Sequence, residues 1–231
     1  MKTQTQCAIA GGGPAGLMLG VLLARAGVDV LVLEKHGDFL RDFRGDTIHP
    51  STMTVLDELG WLEDFLTLPH QKVRNLTAKF GDKDYKIADF SHLAVKTPYI
   101  AMIPQWDFLN FLTAKGKQFP NFELAMNTEA LSLVTGSGRV AGVKVRGPMG
   151  EQTITANLVV AADGRASVLR QSAGLTAQDF GAPMDALWFR LPRKASDTDQ
   201  TQARFDAGRI FDAQSRRVLA VRVRDPQGWQ R

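Results

Sequence analysis

Two spacings of apolar residues alternate along this chain. A short apolar run, Gln6 to Ala10, leads into a glycine turn, and Pro14 to Ala26 then carries Leu17, Met18, Val21, Leu22 and Arg25 at helical spacing. Val28 to Leu33 is a second apolar run. Runs this short, bounded by Gly27 and by Glu34-Lys35, suit parallel strands buried on both faces, so the start of the chain reads as strand, helix, strand. Ser51 to Leu66 reads as one helix, capped by Ser51, with Leu56, Leu59, Leu62, Phe65 and Leu66 facing inward.

From Lys72 to Ile103 the spacing changes to alternation, as in Val73, Asn75, Thr77 and Lys79 and then Tyr85-Lys86-Ile87-Ala88, with Gly81-Asp82 between. This predicts a strand-rich insertion. Gln105 to Phe119 returns to helical spacing through Trp106, Leu109, Phe111 and Leu112. Strands follow at Glu123 to Met126, Ala130 to Thr135 and Val140 to Arg146, the last two joined by Gly136-Ser137-Gly138 as a hairpin loop. Thr153 to Ala161 is a further apolar strand ending in Ala162-Asp163-Gly164-Arg165. Ser167 to Ala173 starts a helix, and strand character resumes at Ala186 to Arg190. No internal repeat or low-complexity stretch interrupts this order. The expected fold class is α/β, a Rossmann-like nucleotide-binding domain with an inserted β-rich domain.

Composition narrows the function classes. Over 231 residues, 44% hydrophobic and 23% charged residues are ordinary for a globular chain with a sizeable core. The sole cysteine, Cys7, sits in an apolar run away from His and acidic residues. It reads as a structural thiol in a reducing, cytoplasmic compartment. Residues 7–24 carry no charge and could pass for a signal peptide or membrane anchor, but five glycines and Pro14 within them fit strand, turn and helix better. The net charge of +4 invites a nucleic-acid reading. Most of it lies after Phe211, in Arg216, Arg217, Arg222, Arg224 and Arg231 against Asp212 and Asp225, and the body has no basic stripe interleaved with aromatics. None of the four histidines pairs with Cys7 or an acidic cluster at metal-ligand spacing, so no metal is expected. No nucleophile elbow or paired carboxylates suggest hydrolysis.

The chemistry is carried by Gly11-Gly12-Gly13-Pro14-Ala15-Gly16. Gly11, Gly13 and Gly16 match G-x-G-x-x-G, in which the first glycine permits a tight turn, the second lets backbone reach a pyrophosphate, and the third lets helix and strand approach. The helix N-terminus then faces the anion with N–H groups and its dipole. Glu34 closes the second strand about 20 residues on, where a carboxylate accepts hydrogen bonds from a ribose diol and repels a 2′-phosphate. The nucleotide is therefore FAD or NAD rather than NADP. On these residues alone an NAD-dependent dehydrogenase stays open.

Three further stretches make the sequence resemble the flavoprotein aromatic hydroxylases, a family related to para-hydroxybenzoate hydroxylase, over about the first 211 residues. Arg41-Asp42-Phe43-Arg44-Gly45-Asp46-Thr47-Ile48-His49-Pro50 is similar to the family segment near the isoalloxazine, in which the arginine matching Arg44 approaches the flavin. A guanidinium there can stabilise negative charge on flavin or substrate. Gln105 falls where the family has a glutamine that hydrogen-bonds FAD. Leu158 to Arg170 resembles the family's Asp-Gly motif, implying that Asp163 and Gly164 contact FAD and that the segment takes part in binding NAD(P)H. Lys35 and Ala130 complete the cofactor contacts that the resemblance implies. It implies FAD as cofactor, NADH or NADPH as reductant, and hydroxylation of an aromatic or similar small organic substrate by molecular oxygen. Reduced flavin and oxygen carry that chemistry while the protein positions substrate and excludes water. Other flavin oxidoreductases of the superfamily and a non-catalytic FAD-binding fragment remain alternatives.

On this reading residues 1–71 and 104–180 form a discontinuous FAD-binding domain, 72–103 and 181–211 a partial β-rich substrate domain, and 212–231 an aberrant tail. Family members continue well past this length, with a Gly-Asp-Ala-Ala-His-like motif for the flavin's ribityl and phosphate portion, which this sequence lacks. Reading Asp212 to Gly228 one nucleotide later, with choice only at degenerate codon positions, permits Met-Leu-Asn-Arg-Gly-Glu-Tyr-Trp-Gln-Cys-Gly-Tyr-Val-Ile-Pro-Lys-Gly. That string resembles the family at this point. The expectation is a frameshift near Phe211.

Overall fold

A computed structural model describes residues 1–40, 46–181, 184–189, 202–206, 209–214 and 217–223. The chain opens with β1 (Gln4–Ala10), α1 (Pro14–Arg25) and β2 (Val30–Leu33). Next come β3 (Thr47–Ile48), α2 (Pro50–Glu58), α3 (Leu62–Leu66), β4 (Gln71–Val73), β5 (Asn75–Phe80), β6 (Lys83–Asp89) and β7 (Ile100–Met102). Helix α4 (Gln105–Gly116) leads to β8 (Phe122–Ala125), β9 (Glu129–Gly136), β10 (Arg139–Gly147), β11 (Gly150–Ala161) and α5 (Val168–Ser172). The last elements are β12 (Met184–Phe189), β13 (Gln202–Asp206), β14 (Arg209–Gln214) and β15 (Arg217–Val223). They divide into two compact units, Met1–Arg41 with Gln105–Gln178 and Asp42–Pro104 with Asp179–Arg231.

The first unit is built on a sheet of order β8-β2-β1-β11-β10-β9, in which β8, β2, β1 and β11 are parallel and β10 and β9 run antiparallel. All four residues of β2 are buried, as a strand covered on both faces requires. Alternate residues face opposite ways. Ala8, Ala10, Leu31 and Leu33 join Val143, Val145, Ile154, Ala156 and Leu169 in one core layer. On the other face Ile9, Val32 and Phe122 meet α1 at Gly20, where a Cβ would come within 2.7 Å of Val32 Cγ2. The β9–β10 hairpin turns through Ser137 and Gly138, both at positive φ, as a tight two-residue loop that matches strand twist demands.

In the second unit β5 pairs in parallel with β13, with Thr77 opposite Gln202, so two distant stretches of chain share the sheet β12-β15-β14-β13-β5-β6. A smaller sheet has the order β3-β7-β4. Two expectations change here. The helix expected over 51–66 is two helices, because α2 ends at Gly60 with φ +75. There Gly60 N–H donates to Asp57 O and Trp61 N–H to Leu56 O, closing the helix end as a Schellman turn. Ser51 is not the cap: His49 holds that position, Pro50 takes the first helical turn, and no side chain caps α2. Residues 42–71, expected with the nucleotide-binding domain, group with the second unit. The reason is hydrogen bonding, since β3 and β4 flank β7 and Ile103 N–H donates to Asp46 O. No helix among the described residues is long and apolar enough to cross a membrane.

Gly20→Val is expected to destabilise the protein by about 2 kcal/mol or more in urea unfolding, because the added atoms have only the stiff Val32 and the Phe122 ring to displace. Cys7 is 2% exposed and burial pushes its thiol up from the ordinary range. A thiol reagent should therefore label native protein at least about 100-fold more slowly than unfolded protein.

Candidate functional site

The glycine loop is fixed by close backbone approaches. Gly11 leaves β1 at φ +106, donates its N–H to Leu33 O at 2.8 Å, and lies so close to β11's exit that a Cβ would collide with the Ala162 carbonyl. At Gly16 a Cβ would collide with the Gly11 carbonyl, so α1 can begin only where both residues lack one. Gly13 differs: it has nothing within 4 Å of a Cβ position and ordinary extended dihedrals. It caps α1 without any side-chain hydrogen bond, Pro14 follows at the first helical turn, and Pro14 and Ala15 are exposed. The N-terminal N–H groups of α1 thus end at an open surface, a cradle suited to a diphosphate.

Glu34 is 8% exposed and its carboxylate is held from three directions. Oε2 accepts the Gly12 N–H at 3.0 Å. Oε1 accepts the His36 N–H at 3.0 Å and lies 2.7 Å from His36 Nδ1. Gly12 also cannot carry a side chain, since a Cβ would sit 2.8 Å from Glu34 Cβ. The segment is braced by the β8–β9 turn: Glu34 N–H donates to Ala125 O, Asn127 N–H to His36 O and Thr128 N–H to Glu34 O. Asn127 makes that turn at φ +52.

Asp163 follows β11 directly beside Gly11. Its Oδ2 accepts the Val168 and Leu169 N–H groups at 2.8 and 3.4 Å, while Ser167 Oγ accepts the Arg170 N–H at 3.0 Å, so two side chains cap α5. Asp163 Oδ1 is buried with no hydrogen-bond partner, and so is Arg170 Nε, although Arg170 Nη2 donates to Arg165 O at 2.8 Å. A buried carboxylate oxygen left unpaired in a protein interior calls for a polar ligand. Gly164, next in the turn, takes φ +87.

The structure therefore brings Gly11, Gly12, Glu34 and Asp163 together, with Gly13 to Gly16 beside them. Gln105 opens α4, which packs on α1, and is half-buried. Lys35 is exposed at the end of β2. Ala130 lies on β9, partly buried against the core layer and opposite Val145. Arg44 falls outside the described residues. Sequence spacing gives no part to His36 and places Gly12 in the loop without its bond to Glu34, and both contacts come from Glu34 folding back onto the loop. The sequence places a helix start at Ser167, and the structure adds that Asp163 and Ser167 both cap it. Among the described residues no group of three or more His, Cys, Asp or Glu is placed to hold a metal ion.

The residues fit FAD, with an open anion cradle, an acidic strand end beside it and an unpaired carboxylate oxygen next to the loop. Comparison with known proteins agrees. Residues 4–229 match the family model for the FAD binding domain, so the match continues past Phe211. The 6-methylpretetramide 4-monooxygenase of Streptomyces rimosus is 30% identical over 217 residues, 94% of this chain and 50% of that protein. Para-nitrophenol 4-monooxygenase of Pseudomonas sp. strain WBC-3 is 28% identical over 182 residues, 76% of this chain and 44% of that one. Among solved structures, p-nitrophenol 4-monooxygenase from Pseudomonas putida DLL-E4 shares the fold with a TM-score of 0.82 at 23% identity, covering all of this chain and 60% of that one. The chain spans about half the length of the curated relatives it matches.

Replacing single loop glycines separates structure from binding. Gly11→Ala is expected to cost more than about 2 kcal/mol of stability, through its positive φ and the Ala162 carbonyl. Gly13→Ala should stay within about 1 kcal/mol of the parent. Urea unfolding of the two variants checks both.

Proposed function

This chain belongs to the FAD-binding domain family, and from that membership we propose that it forms the FAD-binding portion of an NAD(P)H- and oxygen-dependent monooxygenase hydroxylating an aromatic or similar small organic substrate. The observation that carries the reading is the meeting of Gly11 and Asp163, with the unpaired Asp163 Oδ1 beside a loop whose Gly13 backbone is open. In this reading Gly11 to Gly16 take the pyrophosphate, Glu34 the adenosine ribose, and Asp163 and Gly164 a polar group of the cofactor. Gln105, Lys35 and Ala130 are further contacts, and Arg44 is the candidate group near the isoalloxazine. Bound FAD would supply the redox chemistry between NAD(P)H and oxygen. The protein's own contribution is to bind and orient the dinucleotide by backbone N–H groups and two carboxylates. The β-rich second unit is the candidate substrate domain, and the cytoplasm the expected location.

Purified protein tests this directly. Added FAD should bind, give a yellow preparation, bleach with NADH or NADPH and recover its colour in air. Gly13→Ala should weaken FAD by at least about ten-fold, since a methyl group there intrudes on the pyrophosphate. A chain that binds FAD but is not bleached by either nicotinamide is a non-catalytic binding fragment. A chain that binds no FAD sinks the proposal.

We also propose that the residues from Asp212 onward are read out of frame. The codon reading of Asp212 to Gly228 given above supports this, since every fixed nucleotide is compatible with the shifted string. The encoding DNA decides the matter: a stop or an unrelated string in the shifted frame removes the idea.

A further inference from the structure

We propose that His36 is a positioning residue for the cofactor's adenosine ribose, acting by holding Glu34; the inference rests on the flavin reading above. Glu34 must satisfy two geometries at once. Its Oε2 anchors the Gly12 N–H at 3.0 Å, which ties the carboxylate to the loop, and the same carboxylate is the group placed to meet a ribose diol. A glutamate has three rotatable bonds, and a free rotor at the end of a strand would spend much of its time elsewhere. Here the rotor is fixed at its far oxygen. His36 approaches Oε1 twice, with its backbone N–H at 3.0 Å and with Nδ1 at 2.7 Å, the short distance of a bond to a charged acceptor. Nδ1 must carry the proton in that contact, since a carboxylate only accepts.

His36 is itself fixed from behind. Its carbonyl accepts the Asn127 N–H at 2.9 Å, and Asn127 holds a positive φ to make that bond. The Asn127 side chain fills the space beside Gly37, where a Cβ would come within 2.9 Å of Asn127 Oδ1. The imidazole is 44% exposed, so its direct contribution to the core is small, and the polar contact that fixes its ring is the one to Glu34. The β8–β9 turn, His36, Glu34 and Gly12 thus form one chain of hydrogen bonds that ends at the glycine loop. The backbone N–H to Oε1 survives any substitution at 36. The ring donor does not, and its loss isolates the second bond.

The test is a double-mutant cycle on the full chain, read as the FAD dissociation constant by flavin fluorescence quenching, with the thermal midpoint of the cofactor-free protein as a fold control. His36→Leu is expected to weaken FAD roughly ten-fold, the size of one lost hydrogen bond to a charged group. His36→Asn, which can present an amide N–H near the Nδ1 position, should stay within about three-fold of the parent. In a Glu34→Ala background His36→Leu should have almost no further effect, because the residue it acts through is gone. His36→Ala can replace the leucine variant throughout, since both remove the donor. Unchanged FAD affinity in His36→Leu overturns the inference. So does a ten-fold loss that persists in the Glu34→Ala background, or one that His36→Asn fails to rescue. Failure of the unsubstituted chain to bind FAD is a different result, and it overturns the flavin reading together with the inference.

Discussion

Gly11 leaves β1 at a positive φ while Ala162 and Asp163 leave β11 beside it, and the two strand ends touch backbone to backbone. Only residues without a Cβ permit that contact at Gly11 and again at Gly16, so the start of α1, the exit of β11 and the mouth of the parallel sheet are set by one close approach. The other parts of the site follow from it. Asp163 lies beside the loop because β11 ends there, and α5 begins where it does because Asp163 and Ser167 cap its first turn. The open N-terminus of α1 follows as well, since Gly13 and Pro14 offer no side chain to close it.

Burial of Glu34 imposes a second constraint. A carboxylate that is 8% exposed must be hydrogen-bonded or it destabilises the fold by several kcal/mol. The donors come from Gly12 and His36, on either side of it, so the solvation that water would give is replaced by fixed dipoles and an imidazole. Such a group is already oriented before a ligand arrives, and the entropy of ordering it is met during folding rather than during binding.

Much of this was legible in the sequence because it depends on local chemistry. The strand, glycine turn and helix around Gly11 to Gly16, the acidic end of β2 at Glu34, the hairpin at Ser137-Gly138 and the Asp163-Gly164 turn each combine a spacing with a residue type that has few other uses. What escaped depends on contacts between distant segments. The part played by Gly12 exists only because Glu34 folds back on it, and the grouping of residues 42–71 with the second unit follows from hydrogen bonds to β7. The helix break at Gly60 escaped for the opposite reason: the apolar spacing runs on unbroken through Leu59 and Leu62, and it hides a turn that one glycine makes. The family match running to residue 229 likewise reaches beyond Phe211, where the sequence reading places the end of the resemblance.

The parallel pairing of β1 with β11 has a kinetic side. Thr5 lies opposite Ala156, so about 150 residues of chain separate strands that must meet before Gly11 can touch Asp163. During synthesis at ordinary rates that interval lasts roughly 8–30 s, in which β1, α1 and β2 are available but lack the neighbour that completes the loop's surroundings. The dinucleotide cradle is therefore made in two parts separated by β2 to β10, and cofactor capture has to wait for β11.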